Sequence, residues 1–235
     1  MAANRSAILK YTAIAGFIGS ISLALGSLIT GLVYVGAQGE RYSPINHWVS
    51  ELGEIGVSQF AALFNISLFV GGLSFIVFMI GLALYLRSRW AYLFGLIGVI
   101  SGIAGALVGV FPMNNIGIHT SIALTFFNLG WIAVGLFSLY FWFKRDPALP
   151  RWLTIIGAAC VVSFVGFLAI LGDVSQRPRD ALGVPIERLD FWWATIFEWL
   201  IIVTIILWVF AVALALYRYT RREVFSGSTV VTSQS

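Results

Sequence analysis

One segment of the chain, residues 43–54, combines ionisable and hydroxyl side chains at a spacing that suits chemistry. It reads Ser-Pro-Ile-Asn-His-Trp-Val-Ser-Glu-Leu-Gly-Glu. At about 100° per helical residue, Asn46, His47, Ser50 and Glu51 lie on one face. His47 and Glu51 are four residues apart, so both could reach one metal ion or one substrate proton from adjacent turns.

Further polar residues could join this face if the helices that carry them converge. They stand near the starts of two later apolar runs: Asn114, His119, Glu187, Arg188 and Glu198. A carboxylate within a membrane helix costs about 2.5–3.5 kcal/mol on insertion scales, so Glu198 should face a partner or a cavity. Arg188 and His119 are the candidate partners. Together with the four residues above, this set forms the predicted ligand-binding site.

Established catalytic and cofactor motifs are missing from the sequence. His119 could add a third nitrogen to a metal site, or share a haem with His47, but the chain has only two histidines and no His-x-x-x-His pair. We therefore predict no metal and no cofactor. Ser50, His47 and Glu51 are triad residue types, yet neighbours on one short helix do not give a catalytic relay. No nucleophile elbow, phosphate-binding loop or dinucleotide loop is present.

Long apolar runs must position these residues. Hydrophobic residues make up 60% of the 235-residue chain and charged residues only 10%, whereas soluble domains carry about a quarter charged residues. Six runs reach the roughly 20 residues that a membrane span needs, and none alternates like a barrel strand. The sequence predicts an all-α, polytopic integral membrane bundle with transmembrane helices at about 11–36, 60–86, 91–111, 118–143, 152–172 and 191–217.

The basic residues indicate how these helices are oriented. With six spans, ten of the fourteen Lys and Arg residues fall on the side of the two termini and four on the other side. The positive-inside rule then places both termini in the cytoplasm and the predicted site on the opposite side. Because the inner charges sit at separated span ends, they favour contact with anionic membrane lipids and no nucleic-acid partner.

Local signals predict the connections. Ser43 suits a helix N-cap, Pro44 the first turn and Gly53 the stop. They predict a short amphipathic helix at the outer membrane interface after the first span. We expect residues 1–225 to form one membrane domain and the Ser/Thr-rich residues 226–235 to form a disordered cytoplasmic tail.

The third span is rich in glycine and should be a packing surface. Gly98 and Gly102 form one small-xxx-small pair, and Gly105 and Gly109 form another. Such pairs let a neighbouring helix approach closely, so a partner helix or a second copy of the chain could also dock on glycine-rich faces.

Several short motifs resemble those of the prokaryotic domain-of-unknown-function family 998. They are the Asn-x-x-x-Ser-Glu-Leu-Gly pattern of residues 46–53, Phe64-Asn65, Gly109-x-Phe111-Pro112, His119 and, more degenerately, Gly183 to Glu187-Arg188. The chain also distantly resembles multispanning proteins of the autophagy-modulator (DRAM-like) type. The resemblance implies a six-helix fold in a prokaryotic plasma membrane. The resemblance identifies Glu51, His119 and Arg188 as motif positions of the family but implies no activity for them.

Functions of different classes fit these predictions. The first is binding or sensing of a lipid headgroup or small polar ligand in an acidic pocket on the non-cytoplasmic side. The second is an enzyme that acts on lipid or isoprenoid substrates there, with Glu51 or His119 as general base. A structural subunit of a membrane complex is a third. Transport is disfavoured because the span centres lack charge. We rank binding first.

Overall fold

The computed structural model describes residues 2–174 and 188–231, with side chains for residues 5–171 and 188–222. It contains the helices α1 (Ala2–Val33), α2 (Ala61–Leu86), α3 (Arg89–Val110), α4 (Ile116–Lys144), α5 (Leu153–Val174) and α6 (Trp193–Val231). Two short 3₁₀ helices, Val49–Gly53 and Met113–Asn115, lie in the connections. Within the described ranges, six helices are long and apolar enough to cross a membrane. The predicted all-α fold with six candidate spans is confirmed.

The helices form a closed ring. Each packs against the next helix along the chain, and α6 packs against α1. Aromatic side chains fill much of the interior, where Phe78, Phe137, Phe141, Phe164 and Trp208 are almost completely buried. Large apolar side chains instead cover the outer faces of the helices, which is the distribution that a lipid environment permits.

The glycines of α3 allow it to lie directly against α2, as their spacing predicted. A Cβ atom built on Gly98 would lie 2.6 Å from the Met79 Cγ atom, and one on Gly102 would lie 2.8 Å from the Ile76 Cγ1 atom. The connection between the two helices is correspondingly tight. Helix α2 ends at Leu86, the capping residue Arg87 has a positive φ of 47°, and the hydroxyl of Ser88 then caps α3.

The two ends of the ring differ in character. At the end that holds the start of α1, here called the terminal end, Arg5 donates a hydrogen bond to the Tyr85 hydroxyl, which donates to Asp146. The opposite end, here called the loop end, carries the α1–α2 connection, the α3–α4 turn and the start of α6. The predicted polar site residues that the structure describes lie at the loop end.

A short helix does follow the first span, but it differs from the predicted one. It is a single 3₁₀ segment over Val49–Gly53, and the residues before it form turns. Its apolar Val49 and Leu52 and its acidic Glu51 are all buried within the protein, and Ser50 is half-buried, so the polar residues do not form the predicted solvated face. Its position at a membrane interface stays a prediction. The disordered tail also stays a prediction. Helix α6 includes residues 226–231, and residues 232–235 lie outside the described ranges.

Candidate ligand-binding site

Residues 34–60, here called the cap segment, fold over the loop end of the ring. Side-chain amides hold this segment in place by binding its backbone. Asn65 of α2 donates a 2.9 Å hydrogen bond to the Gly53 carbonyl. Asn114 both donates to the Ile55 carbonyl and accepts from the Ile55 amide, each at 2.9 Å. The cap segment is thus tied to α2 and to the α3–α4 turn.

An ion pair holds the cap segment against the approach to α6. The Arg188 guanidinium binds the Glu51 carboxylate with both nitrogens, at 2.8 Å and 3.3 Å. Arg188 also donates a 2.8 Å hydrogen bond to the Asn46 carbonyl. The Glu51 carboxylate accepts a further 2.8 Å bond from the Trp48 amide. Glu51 is only 7% exposed, and its bidentate pair with Arg188 places a counter-ion directly against the buried charge.

His47 lies buried beside this pair, in contact with the rings of Tyr34 and Tyr42. Its Nδ1 atom lies 2.7 Å from the Asn46 side-chain oxygen. Its Nε2 atom has no hydrogen-bond partner and lies 3.9 Å from the Glu40 carboxylate. Burial lowers the pKa of the imidazole, so His47 is neutral at pH 7. It acts here as a packed aromatic group of the cap segment.

Glu198 reaches the cap segment from the first turns of α6. Its carboxylate accepts a 2.7 Å hydrogen bond from the Val49 amide, and its side chain is buried. Arg188, one of the two candidate partners of Glu198, binds Glu51 instead. Among the residues that the structure describes, no cation forms an ion pair with Glu198.

His119 and Ser50 lie near Glu198 and have defined hydrogen bonds. The Nδ1 atom of His119 lies 2.9 Å from the Phe111 carbonyl. A carbonyl only accepts, so Nδ1 must carry the proton, and Nε2 of the neutral ring is left as an acceptor. The Ser50 hydroxyl donates to the Met113 sulfur at 3.1 Å, which leaves its oxygen lone pairs free to accept.

These three residues stand where two cavities meet. The inner cavity, of about 110 Å³, lies within the ring and is bounded by small or apolar residues of α1, α2, α3, α4 and α6. The groove, of about 560 Å³, lies beside α4 near the loop end, with Leu124, Phe167 and Leu171 in its wall. Residues that line both spaces are Ser50, His119, Ala123, Phe127 and Glu198, here called the junction.

The structure therefore divides the predicted site residues into separate groups. Asn46, His47, Glu51 and Arg188 form the ion-paired cluster, whereas Ser50, His119 and Glu198 belong to the junction. Asn114 is exposed and anchors the cap segment, and Glu187 lies outside the described residues. No group of three His, Cys, Asp or Glu side chains that could hold a metal occurs in the described ranges.

Several residues that shape the site were not predicted to belong to it. The Tyr42 hydroxyl accepts a 2.7 Å hydrogen bond from the Trp199 indole and donates to the Trp48 carbonyl at 3.0 Å. Asn65 carried a usable signal, since an amide near the start of an apolar helix requires a hydrogen-bond partner.

Comparison with protein-family models gives a match. A family described as "Protein of unknown function (DUF998)" matches residues 22–215, which is most of the chain and includes all of the candidate site that the structure describes. No match was found among curated proteins or among solved structures.

Proposed function

The chain belongs to the DUF998 family of multi-pass membrane proteins, and from that premise we propose that it binds an amphiphilic ligand, with the ligand's polar group at the junction. One observation carries this proposal. Glu198, His119 and Ser50 are polar groups gathered at one end of an inner cavity whose other walls are almost entirely apolar or glycine. Apolar walls with a few convergent polar groups are typical of small-molecule sites.

The ion-paired cluster has a positioning role in this proposal. Glu51 follows Ser50 directly, and the Val49 amide binds Glu198. By fixing Glu51, Arg188 holds this 3₁₀ turn against the ring and so places Ser50 at the junction. The residues that contact ligand would then be Ser50, His119 and Glu198, with Asn46, His47 and Asn114 supporting the cap segment.

We also propose that the loop end faces away from the cytoplasm, as the distribution of basic residues predicts. Cys160 is the one cysteine of the chain and is buried, so the native protein should not react with a thiol label. In intact cells, a membrane-impermeant maleimide should label Ala37→Cys in the cap segment and leave Lys144→Cys at the terminal end unlabelled. Both positions are exposed. Labelling of Lys144→Cys without labelling of Ala37→Cys would show that the protein has the opposite orientation.

Filling the junction tests the binding proposal. Ala123 lines both cavities, and its replacement by phenylalanine places a ring where the polar part of the ligand should lie. We expect the wild-type protein to copurify with about one tightly bound lipid, and Ala123→Phe to lose most of it, because the ring takes the space that the ligand's polar group needs. The measurement is native mass spectrometry combined with lipid extraction.

Leu139→Phe is the matched control, because it adds bulk on the same helix at a side chain that is 52% exposed on the outer face. It should keep the lipid that the wild type holds. Thermal unfolding of both variants shows whether they fold. If a folded Ala123→Phe protein retained its lipid at the wild-type level, the cavities would not be the ligand site.

Catalysis on a lipid or isoprenoid substrate is a second candidate function. The observation that favours it is the acceptor nitrogen of His119 at the junction, since a neutral imidazole with its other nitrogen fixed by a carbonyl can act as a general base. Glu51 is less suited to that role because Arg188 and the Trp48 amide occupy its oxygens. Chemical change of the copurified lipid during incubation with wild type, but not with His119→Gln, would favour an enzyme.

A further inference from the structure

We infer that the ligand is a membrane lipid whose polar head ends in a primary ammonium group, an inference that rests on the proposed function and names its ligand class. The polar atoms that the junction offers are hydrogen-bond acceptors. They are the Glu198 carboxylate, the Nε2 atom of His119 and the Ser50 oxygen, whose own proton is directed to Met113. An acceptor-only site matches a head that only donates, and an ammonium group with its N–H donors is such a head.

Charge points to the same ligand. Glu198 is 8% exposed, and within the described part of the chain it faces the Val49 amide, at 2.7 Å, and the Ser50 amide but forms no ion pair. A carboxylate inside a helix bundle is costly unless a cation or several donors balance it. Arg188, a candidate cation for Glu198 from the sequence, is committed to Glu51. A ligand ammonium would supply the missing positive charge.

The composition of the walls disfavours a ligand that places an anionic group at the junction itself. Neither the inner cavity nor the groove has an arginine or lysine among its described lining residues. Phosphate and carboxylate groups are normally recognised by such cations or by several backbone amides. The Val49 and Ser50 backbone amides at the junction both face the Glu198 carboxylate, which leaves neither of them for a ligand anion. The ammonium terminus therefore fits the junction, and the rest of the head must lie towards the open groove.

The shape of the two spaces indicates a lipid in preference to a small soluble amine. The groove, at about 560 Å³, falls within the range of ligand sites, and its wall includes Ile116, Leu124, Phe167 and Leu171. These side chains would cover the acyl chain of a lipid. A small soluble amine has no apolar part to pack against them. The inner cavity, at about 110 Å³, is too small for a chain and has room for only a short apolar segment.

The test compares lipids that share acyl chains and differ in the head. Full-length protein is exchanged into nanodiscs that contain phosphatidylethanolamine, phosphatidylcholine and phosphatidylglycerol in equal amounts, and the retained lipid is measured by native mass spectrometry. We expect phosphatidylethanolamine to be enriched over phosphatidylcholine by about tenfold or more, because trimethylation removes the donors to a charged acceptor. Glu198→Gln keeps the size and one acceptor oxygen, removes the charge, and should abolish most of the enrichment.

Glu54→Gln is the matched control, since Glu54 lines neither space and the same change there should leave the enrichment intact. The wild-type preference needs no variant, so it decides the inference even if Glu198→Gln fails to fold. Equal retention of the ethanolamine and choline lipids, with binding still lost in Ala123→Phe, would overturn the ammonium assignment and leave the proposed function standing. Absence of any retained lipid would overturn both. Displacement of the lipid by millimolar ethanolamine would overturn the choice of a lipid over a soluble amine.

Discussion

Replacing Arg188 by alanine is expected to lower the unfolding temperature of the detergent-solubilised protein by about 5–10 °C. The change leaves the Glu51 carboxylate buried at 7% exposure without its bidentate partner, and with the Trp48 amide as its remaining described donor. Removing one member of a buried pair costs about 3–5 kcal/mol, and the 35% exposure of Arg188 puts the expected loss at the lower end. Reaction of buried Cys160 with a fluorogenic maleimide during heating reports unfolding.

Two further variants separate the ion pair from a general loss of bulk. Arg41→Ala removes an exposed arginine from the same cap segment and should change the unfolding temperature by less than about 1 °C. Adding Glu51→Gln to Arg188→Ala removes the unpaired charge and should restore part of the lost stability. An Arg188→Ala protein as stable as the Arg41→Ala protein would show that this pair contributes nothing to holding the cap segment.

The helices could be predicted because lipid restricts what a spanning segment can be. Only long apolar runs satisfy that requirement, so composition alone located six candidate spans. The glycine spacing of α3 was equally informative. Gly98 and Gly102 are places where α2 comes too close for a side chain, and only a short residue at regular helical spacing permits such contact.

The cap segment could not be predicted in the same way, because its conformation depends on contacts far along the chain. The apolar and polar faces assigned to residues 43–54 assumed an α-helix with one side in solvent. Instead, Asn65 and Asn114 bind the backbone of the cap segment, and Arg188, 137 positions away in the chain, forms an ion pair with Glu51. Four of the five residues of Val49–Gly53 are therefore buried, Glu51 among them, and helical periodicity ceases to indicate which side chains meet water.

The pairing of charges at the site shows the same limit. Arg188 could have joined either of two carboxylates, and residue types do not distinguish Glu51 from Glu198. Geometry decides between them, since the cap segment brings Glu51 under Arg188 and directs the Val49 amide at Glu198. That choice leaves Glu198 without a described cation and gives the junction its acceptor character. The functional proposal thus depends on a pairing that only the folded chain reveals.

The second large effect is expected at Gly109, near the end of α3. A Cβ atom there would overlap the Asn65 carbonyl oxygen and lie 2.9 Å from the Phe69 backbone nitrogen. Backbone atoms within a helix cannot move alone, so Gly109→Ala must push α2 and α3 apart. Overpacking of this kind costs about 1–3 kcal/mol or more, and we expect the unfolding temperature to fall by about 5 °C or more.

Gly105→Ala, about one turn earlier on the same helix, is the matched control. Its new Cβ would lie 3.4 Å from a ring carbon of Phe126, an ordinary contact, and alanine favours a helix over glycine by about 1 kcal/mol. Its unfolding temperature should stay level or rise slightly. If Gly109→Ala and Gly105→Ala had equal effects, α2 and α3 would not be in contact at Gly109. Because Asn65 also holds the Gly53 carbonyl, displacement of α2 by Gly109→Ala should loosen the cap segment and weaken lipid retention at the junction.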